Sequence, residues 1–338
     1  MKRKNVWIIA ICLVLAIAAF VLAEINIAQT RKSSVAVSTW VHKSQGVQDA
    51  DRTTVIAQKA KIKKNSEQIK KTNPSVDPEK APEMLTQIDK NKMKHYKVIN
   101  SALLLQKDIY EASATNSCNP EMLDRFKAES NSSRSSLKEL RKLTDDQIYI
   151  YKATTKDQQA IDVANSTYYT WENAVNGLSA DPIEDGKLAA IDKKIQDESE
   201  SGINKANEQA KSVSPEDINQ EDKAIIKDEI LVSGNDVMQG MQAVMNEMQS
   251  VIQEVTKLIN SAKGGSTGGN PFGMIAKIAN AKTPPIDMSV INDLQNIFNV
   301  MAKGISAFSN SFGFFMQSTG TLAGVQVQSM PMLNVPKF

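Results

Sequence analysis

The sequence predicts an all-α protein: an N-terminal transmembrane or signal-anchor helix, an extracytoplasmic elongated helical bundle with coiled-coil-like segments, and a C-terminal amphipathic helix. Three observations lead there. Val6–Ala23 is an apolar run with no charge, Pro or Gly. Apolar residues recur at helical spacing in almost every later segment, and strand-like alternation is nearly absent, Val325–Val327 being the one hint of it. Helix starts are written out as capping side chains followed by Pro and acids.

Residues 1–24 read as a signal anchor or signal peptide. Met1–Lys4 is a basic flank, and at about 1.5 Å per residue the run 6–23 makes roughly 27 Å of helix, close to a hydrocarbon core. Val21-Leu22-Ala23 is also an acceptable cleavage sequence, so retention and release after Ala23 both stay open. Ile11 before Cys12 argues against a lipoprotein site. The basic flank favours a cytoplasmic N-terminus. Everything that follows is then expected outside the cytoplasm, in the periplasm or at the cell surface, membrane-anchored through residues 6–23 or secreted.

Residues 25–72 read as a basic juxtamembrane helix carrying Val55, Ile62 and Ile69 on an otherwise polar surface. Between residues 31 and 97 there are 15 Lys or Arg against 7 Asp or Glu, so Lys59–Lys71 is expected to be a solvated face, or one that meets anionic lipid or an acidic partner. Three prolines make 73–82 a break. Residues 83–262 are the expected bundle, able to fold without the N-terminal run. Within it Asn119-Pro120, Asp181-Pro182 and Ser214-Pro215 mark helix starts, and Thr144-Asp145-Asp146-Gln147 reads as a capping box. Its clearest stripe has Val237, Val244, Val251 and Leu258 in one seven-residue row and Met241, Met248 and Val255 in the next, widened by Met238, Met245 and Ile252. Residues 263–286 are a Gly/Pro linker, 287–316 an amphipathic Phe/Met-rich helix, and 317–338 a tail expected to be flexible.

Composition removes several function classes. A formal net charge of +2 gives no ground for nucleic-acid binding. Cys118 is the only cysteine beyond the apolar run, so that part holds no internal disulfide and no cysteine cluster, and a bridge between two chains is the one disulfide left open to it. His42 and His95 lie on different predicted helices, and no HExxH, GxSxG, CxxCH or Gly-rich phosphate loop occurs. The expectation is a chain without catalytic, cofactor-binding or metal-ligating residues.

Candidate interaction residues are therefore apolar: Met241, Met245 and Met248 on the seam, and Phe298, Phe308, Phe312 and Phe315 on the last helix. Four Phe on one side are a large surface to leave in water. The helix is expected to fold back on the bundle, to join another chain, or to enter a membrane interface. One span followed by an external helical bundle resembles bacterial sensor ectodomains in plan, without the second span of those proteins. The sequence points to a non-enzymatic helical interaction or structural protein of a cell-envelope, surface or secretion assembly, self-associating or holding a protein partner through its amphipathic helices. A secreted helical pore-forming toxin or translocator, and a ligand-binding sensor-like ectodomain, are the alternatives.

Overall fold

The structure, a computed structural model, describes the backbone of residues 3–73, 77–262 and 289–327, and the side chains of these from residue 26 onward apart from 255, 258–262 and 289–291. Nine α-helices are found among the described residues, with no strand. They are α1 (Arg3–Lys64), α2 (Ser66–Thr72), α3 (Ala81–Ala114), α4 (Pro120–Ala153), α5 (Gln158–Asn176), α6 (Asp185–Lys211), α7 (Gln220–Ile225), α8 (Leu231–Ala262) and α9 (Ser289–Leu322). A 3-10 turn, Pro215–Asp217, precedes α7, and a π-helical segment, Ile226–Ile230, joins α7 to α8.

Helix α1 is the axis of the fold. Helices α3, α5, α6, α8 and α9 all pack on it, while α4 lies outside, across α3 and α5. The expected bundle 83–262 thus has a residue-28-to-62 helix at its centre and a further helix, α9, on its flank. The expectation of a separate juxtamembrane helix over 25–72 is corrected: one unbroken helix runs from Arg3 to Lys64, and Ser66–Thr72 is a short second helix.

A helix so polar can be central because its side chains are small. Ser33, Ser34, Ala36, Ser38, Ser44, Gly46, Ala50, Thr53 and Ala57 let neighbours approach its backbone. Two of its threonines bond back to the preceding turn, Thr39 Oγ1 to the Val35 carbonyl at 3.0 Å and Thr54 Oγ1 to the Ala50 carbonyl at 2.9 Å, so burial leaves those hydroxyls satisfied. Close approach is visible at Gly46, where a β-carbon would stand 2.7 Å from the Phe308 ring of α9. Larger residues then fill the second layer: Trp40, Tyr96, Tyr110 and Trp171 are buried, with Tyr96 and Trp171 stacked at 5.0 Å.

Some predicted starts hold and others move. Asn119 caps α4 by accepting from the Met122 amide at 2.9 Å. The Thr144 capping box is no start at all: α4 runs straight through it, and Thr144 is buried without a hydrogen bond to its hydroxyl. The Ser-rich stretch before it is helical too, since Ser130, Ser133 and Ser136 form the face that packs inward, and Ser133 donates to the Glu129 carbonyl at 2.8 Å. The next helix opens at Asp157, which accepts from the Ala160 amide at 3.2 Å. Asp181-Pro182 lies four residues ahead of α6, and Ser214-Pro215 opens only the 3-10 turn; Asn219 caps α7 instead.

The last helix is longer than expected, Ser289 to Leu322 rather than 287–316, so the start of the 317–338 tail is helical. It ends as Gly324 turns left-handed at φ +71°, with Val325 N bonding the Gly320 carbonyl at 2.9 Å and Gly324 N the Thr321 carbonyl at 3.0 Å. That paired closure is the usual glycine-terminated helix end. Val325–Val327 is irregular chain, not a strand. No helix is long and apolar enough to cross a membrane among the described residues searched; the side chains of the 6–23 run lie outside them, as do the 263–286 linker and 328–338.

Candidate functional site: a buried polar spine

The seven candidate interaction residues are all core residues. Met241, Met245 and Met248 of α8 and Phe298, Phe308, Phe312 and Phe315 of α9 are buried in one cluster with Trp40, Val41 and Ile195. Phe308 and Phe312 stack at 5.6 Å, and Phe312 meets Phe315 at 5.7 Å. Of the three fates expected for the last helix, the structure shows the fold-back, against α6, α8 and α1. Its outer side leaves Val300 68% and Phe314 61% exposed.

The chemistry lies along α1, where sequence reasoning did not look. Its cations reach a different helix at almost every turn. Lys32 pairs with Asp185 and Lys43 with Asp192 (3.4 Å) of α6; Arg52 bridges Asp89 of α3 (3.4 Å) and Glu229 of the π-helical segment (2.7 Å). Lys59 meets Asp222 of α7 at 2.6 Å, Lys61 the α5 cap Asp157 at 2.9 Å, Lys64 Asp217 at 2.9 Å, and Arg31 pairs with Glu254 of α8. In reverse, Lys92 of α3 donates to Asp51 of α1 at 2.5 Å and to Gln147 of α4 at 2.7 Å; Gln147 also donates to Asp51 at 2.8 Å and to the Tyr151 hydroxyl at 2.9 Å. The basic excess that looked like a solvated face is largely matched by acids from the surrounding helices. Within Lys59–Lys71 the solvated character holds for Lys63, Lys64, Lys70 and Lys71, which are exposed, Lys64 and Lys70 with an acid beside them.

Two titratable groups stand apart from this matching. Asp49 is 0% exposed, and neither of its carboxylate oxygens has a hydrogen-bond partner of good geometry, although the Ser233 hydroxyl of α8 is close enough to stabilise its charge. Burial pushes its pKa up to about 7 against the opposing effects of Ser233 and Arg52. His42 is partly buried with Nδ1 sealed and unbonded, and its ring lies directly over Gly240 of α8. Burial lowers its pKa, which Gln45 opposes and the Lys107 charge reinforces. Asp89 is likewise held above the usual carboxylate range by burial despite Arg52. His95 stands away from this cluster, on α3.

Other features offer less. A hollow of about 630 Å³ at the end of α1 and α6 is lined by Lys61, Lys64, Lys211, Ser212, Ser214 and Asp217, and each of those lysines already pairs with an acid. Among the described residues no three His, Cys, Asp or Glu side chains are grouped as a metal site. Cys118 is a free, partly buried thiol packed against the main core. The molecule is thus a helical bundle organised around a charged central helix. Comparison with known proteins finds no matching family model, no matching curated protein and no matching solved structure.

Proposed function

We propose that this chain is a non-enzymatic helical interaction or structural protein, membrane-anchored or exported through residues 6–23, that acts in a surface, secretion or cell-envelope assembly. The observation that supports it most is the continuity of α1: the apolar run and the axis of the bundle are one helix. A helix break between them would let the bundle tumble on a tether. An unbroken helix instead fixes the bundle's orientation to whatever holds the apolar run. From residue 26 to 64 the axis is about 57 Å long at 1.5 Å per residue, so the bundle would stand as a post on the membrane. Ion pairs from α3, α5, α6, α7 and α8 grip that axis, so force or displacement at the run reaches every layer.

The experiment is membrane fractionation of the native chain with alkaline carbonate extraction, protease accessibility and mass measurement of the mature N-terminus. Retention in the pellet with residues 26–262 accessible only from outside supports the anchor. A mature chain beginning at Glu24 supports export. Leu13→Arg should abolish the pellet fraction, and a chain that stays soluble inside the cell with residues 1–24 intact would refute the proposal.

One observation favours the pore-forming or translocator alternative. Helix α9 carries only Asp293 and Lys303 as charged residues across its whole length and exposes Val300 and Phe314. Leakage of liposomes by the purified chain, lost on Phe314→Ser, would move the function to that reading.

A further inference from the structure

His42 and Asp49 are seven residues apart on α1, so they lie on one face, about 10.5 Å apart along the axis. Both face α8. His42 covers Gly240 and Asp49 meets Ser233, again seven residues apart and in reversed order, as antiparallel packing requires. At each contact α8 offers a small residue, and at neither does the titratable group gain a good hydrogen bond through the buried atoms. A charge enclosed without a partner is costly, whereas the neutral forms of both groups fit. Among the described residues helix α8 packs mainly on α1, on α9 and on the π-helical segment that leads into it.

We propose that the α1–α8 seam is a latch held by the neutrality of two groups, closed with His42 and Asp49 both neutral and opened, with water admitted, when the Asp49 proton passes to His42 and both carry charge. The charges facing Asp49 are Arg52 on its own helix, Asp89 on α3 and Glu229 on the π-helical segment; those facing His42 are Lys107 of α3, with Gln45 beside it on α1. Arg52 is already shared by Asp89 and Glu229, and so does not release Asp49 from its burial penalty. In weakly acidic solution the closed seam holds one proton, on Asp49, and the opened seam also holds one, on His42. Opening there transfers a proton between them with no net uptake. Opening bares the Val237, Met241, Val244 and Met248 stripe of α8 to water.

Linkage gives the two groups opposite signs. The Asp49 contribution to closure is present at low pH and is lost as pH rises from about 4 to about 7; the His42 contribution is present above about 6.5 and is lost as pH falls through its lowered value. The test is hydrogen–deuterium exchange of the α8 amides, corrected for intrinsic rates, on the full chain in detergent micelles between pH 5 and 7. Wild type, His42→Gln, Asp49→Asn and the double variant are compared. Relative to the double variant, protection in His42→Gln should fall about tenfold per pH unit as pH rises, and in Asp49→Asn it should fall as pH drops below 6.5, while wild type, carrying both penalties, lies below each single variant and changes little with pH. His42→Asn and Asp49→Ser remove the same charges, and substitute for any variant that does not fold. Single variants whose α8 profiles parallel the double variant would overturn the latch. So would slopes that appear equally in α4, which would mark global unfolding instead.

Discussion

The polar spine of α1 and the apolar layer between α8 and α9 fill the same core by opposite means. In the layer, Met and Phe side chains bury surface without needing any particular neighbour, and each large residue lost costs its transfer energy plus a cavity. Along the spine, charged groups other than Asp49 are tolerable because named partners stand opposite them: Asp51 because of Lys92 and Gln147, Lys43 because of Asp192, Arg52 because of Asp89 and Glu229. The layer gives stability that degrades gradually. The spine gives position, since a helix shifted by one turn leaves several charges enclosed and unpaired.

The largest test of that contrast is removal of the spine. The fragment 83–262 was expected from its stripes to fold alone, but it lacks the helix on which α3, α5, α6 and α8 pack. It should therefore fail to give a cooperative thermal transition by circular dichroism, and addition of a peptide covering 26–72 should restore one. A cooperative fragment without the peptide would show that the spine is filling rather than framework.

Lys92→Met comes next. It leaves Asp51 buried with only Gln147, and urea unfolding should show a loss of about 3–5 kcal/mol. Adding Asp51→Leu should recover most of it, because the cost lies in the orphaned charge. If the double variant is as unstable as the single, the pair supplies energy rather than position. On the apolar side Phe312→Ala should cost about 3–5 kcal/mol with no change of assembly state in ultracentrifugation. Dissociation of a complex with an unchanged unfolding midpoint would instead return α9 to the interaction surface that its sequence suggested.

Where the two regions touch, Gly46→Ala should cost about 1–3 kcal/mol, since the added carbon meets Phe308, and Phe308→Leu should relieve part of it. Smallest is Glu254→Gln. Its pair with Arg31 is 45% and 32% exposed on the two sides, so the unfolding midpoint should move by no more than about 1 kcal/mol, and less in high salt. A larger effect would extend the spine's rule to its solvent-exposed end.

The stripes of α8 and α9 were legible because apolar residues bury themselves against any apolar neighbour, and their period survives in the sequence. Caps such as Asn119 were legible for a similar reason, as they answer groups three residues away. Thr144 misled because the same hydroxyl that caps a helix is tolerated inside one when the chain already continues on both sides. Of the site, His42 stood out only as a residue without a role, and Lys59–Lys71 only as a basic face whose acids the sequence did not name.

What the sequence determined by itself was the all-helical class, the apolar run at 6–23, the apolar stripes of α8 and α9 and the Pro-marked break between α2 and α3. All of these rest on interactions local along the chain or indifferent to partner. The tertiary structure alone decided that the most polar helix is the central one, that its lysines face acids 150 residues away in sequence, and that His42 and Asp49 share a seam. Burial of a charge depends on what is brought opposite it, and the partners of α1 are spread over helices α3 to α8. No pattern within 26–64 can record whether Asp157, Asp192 or Asp222 will arrive.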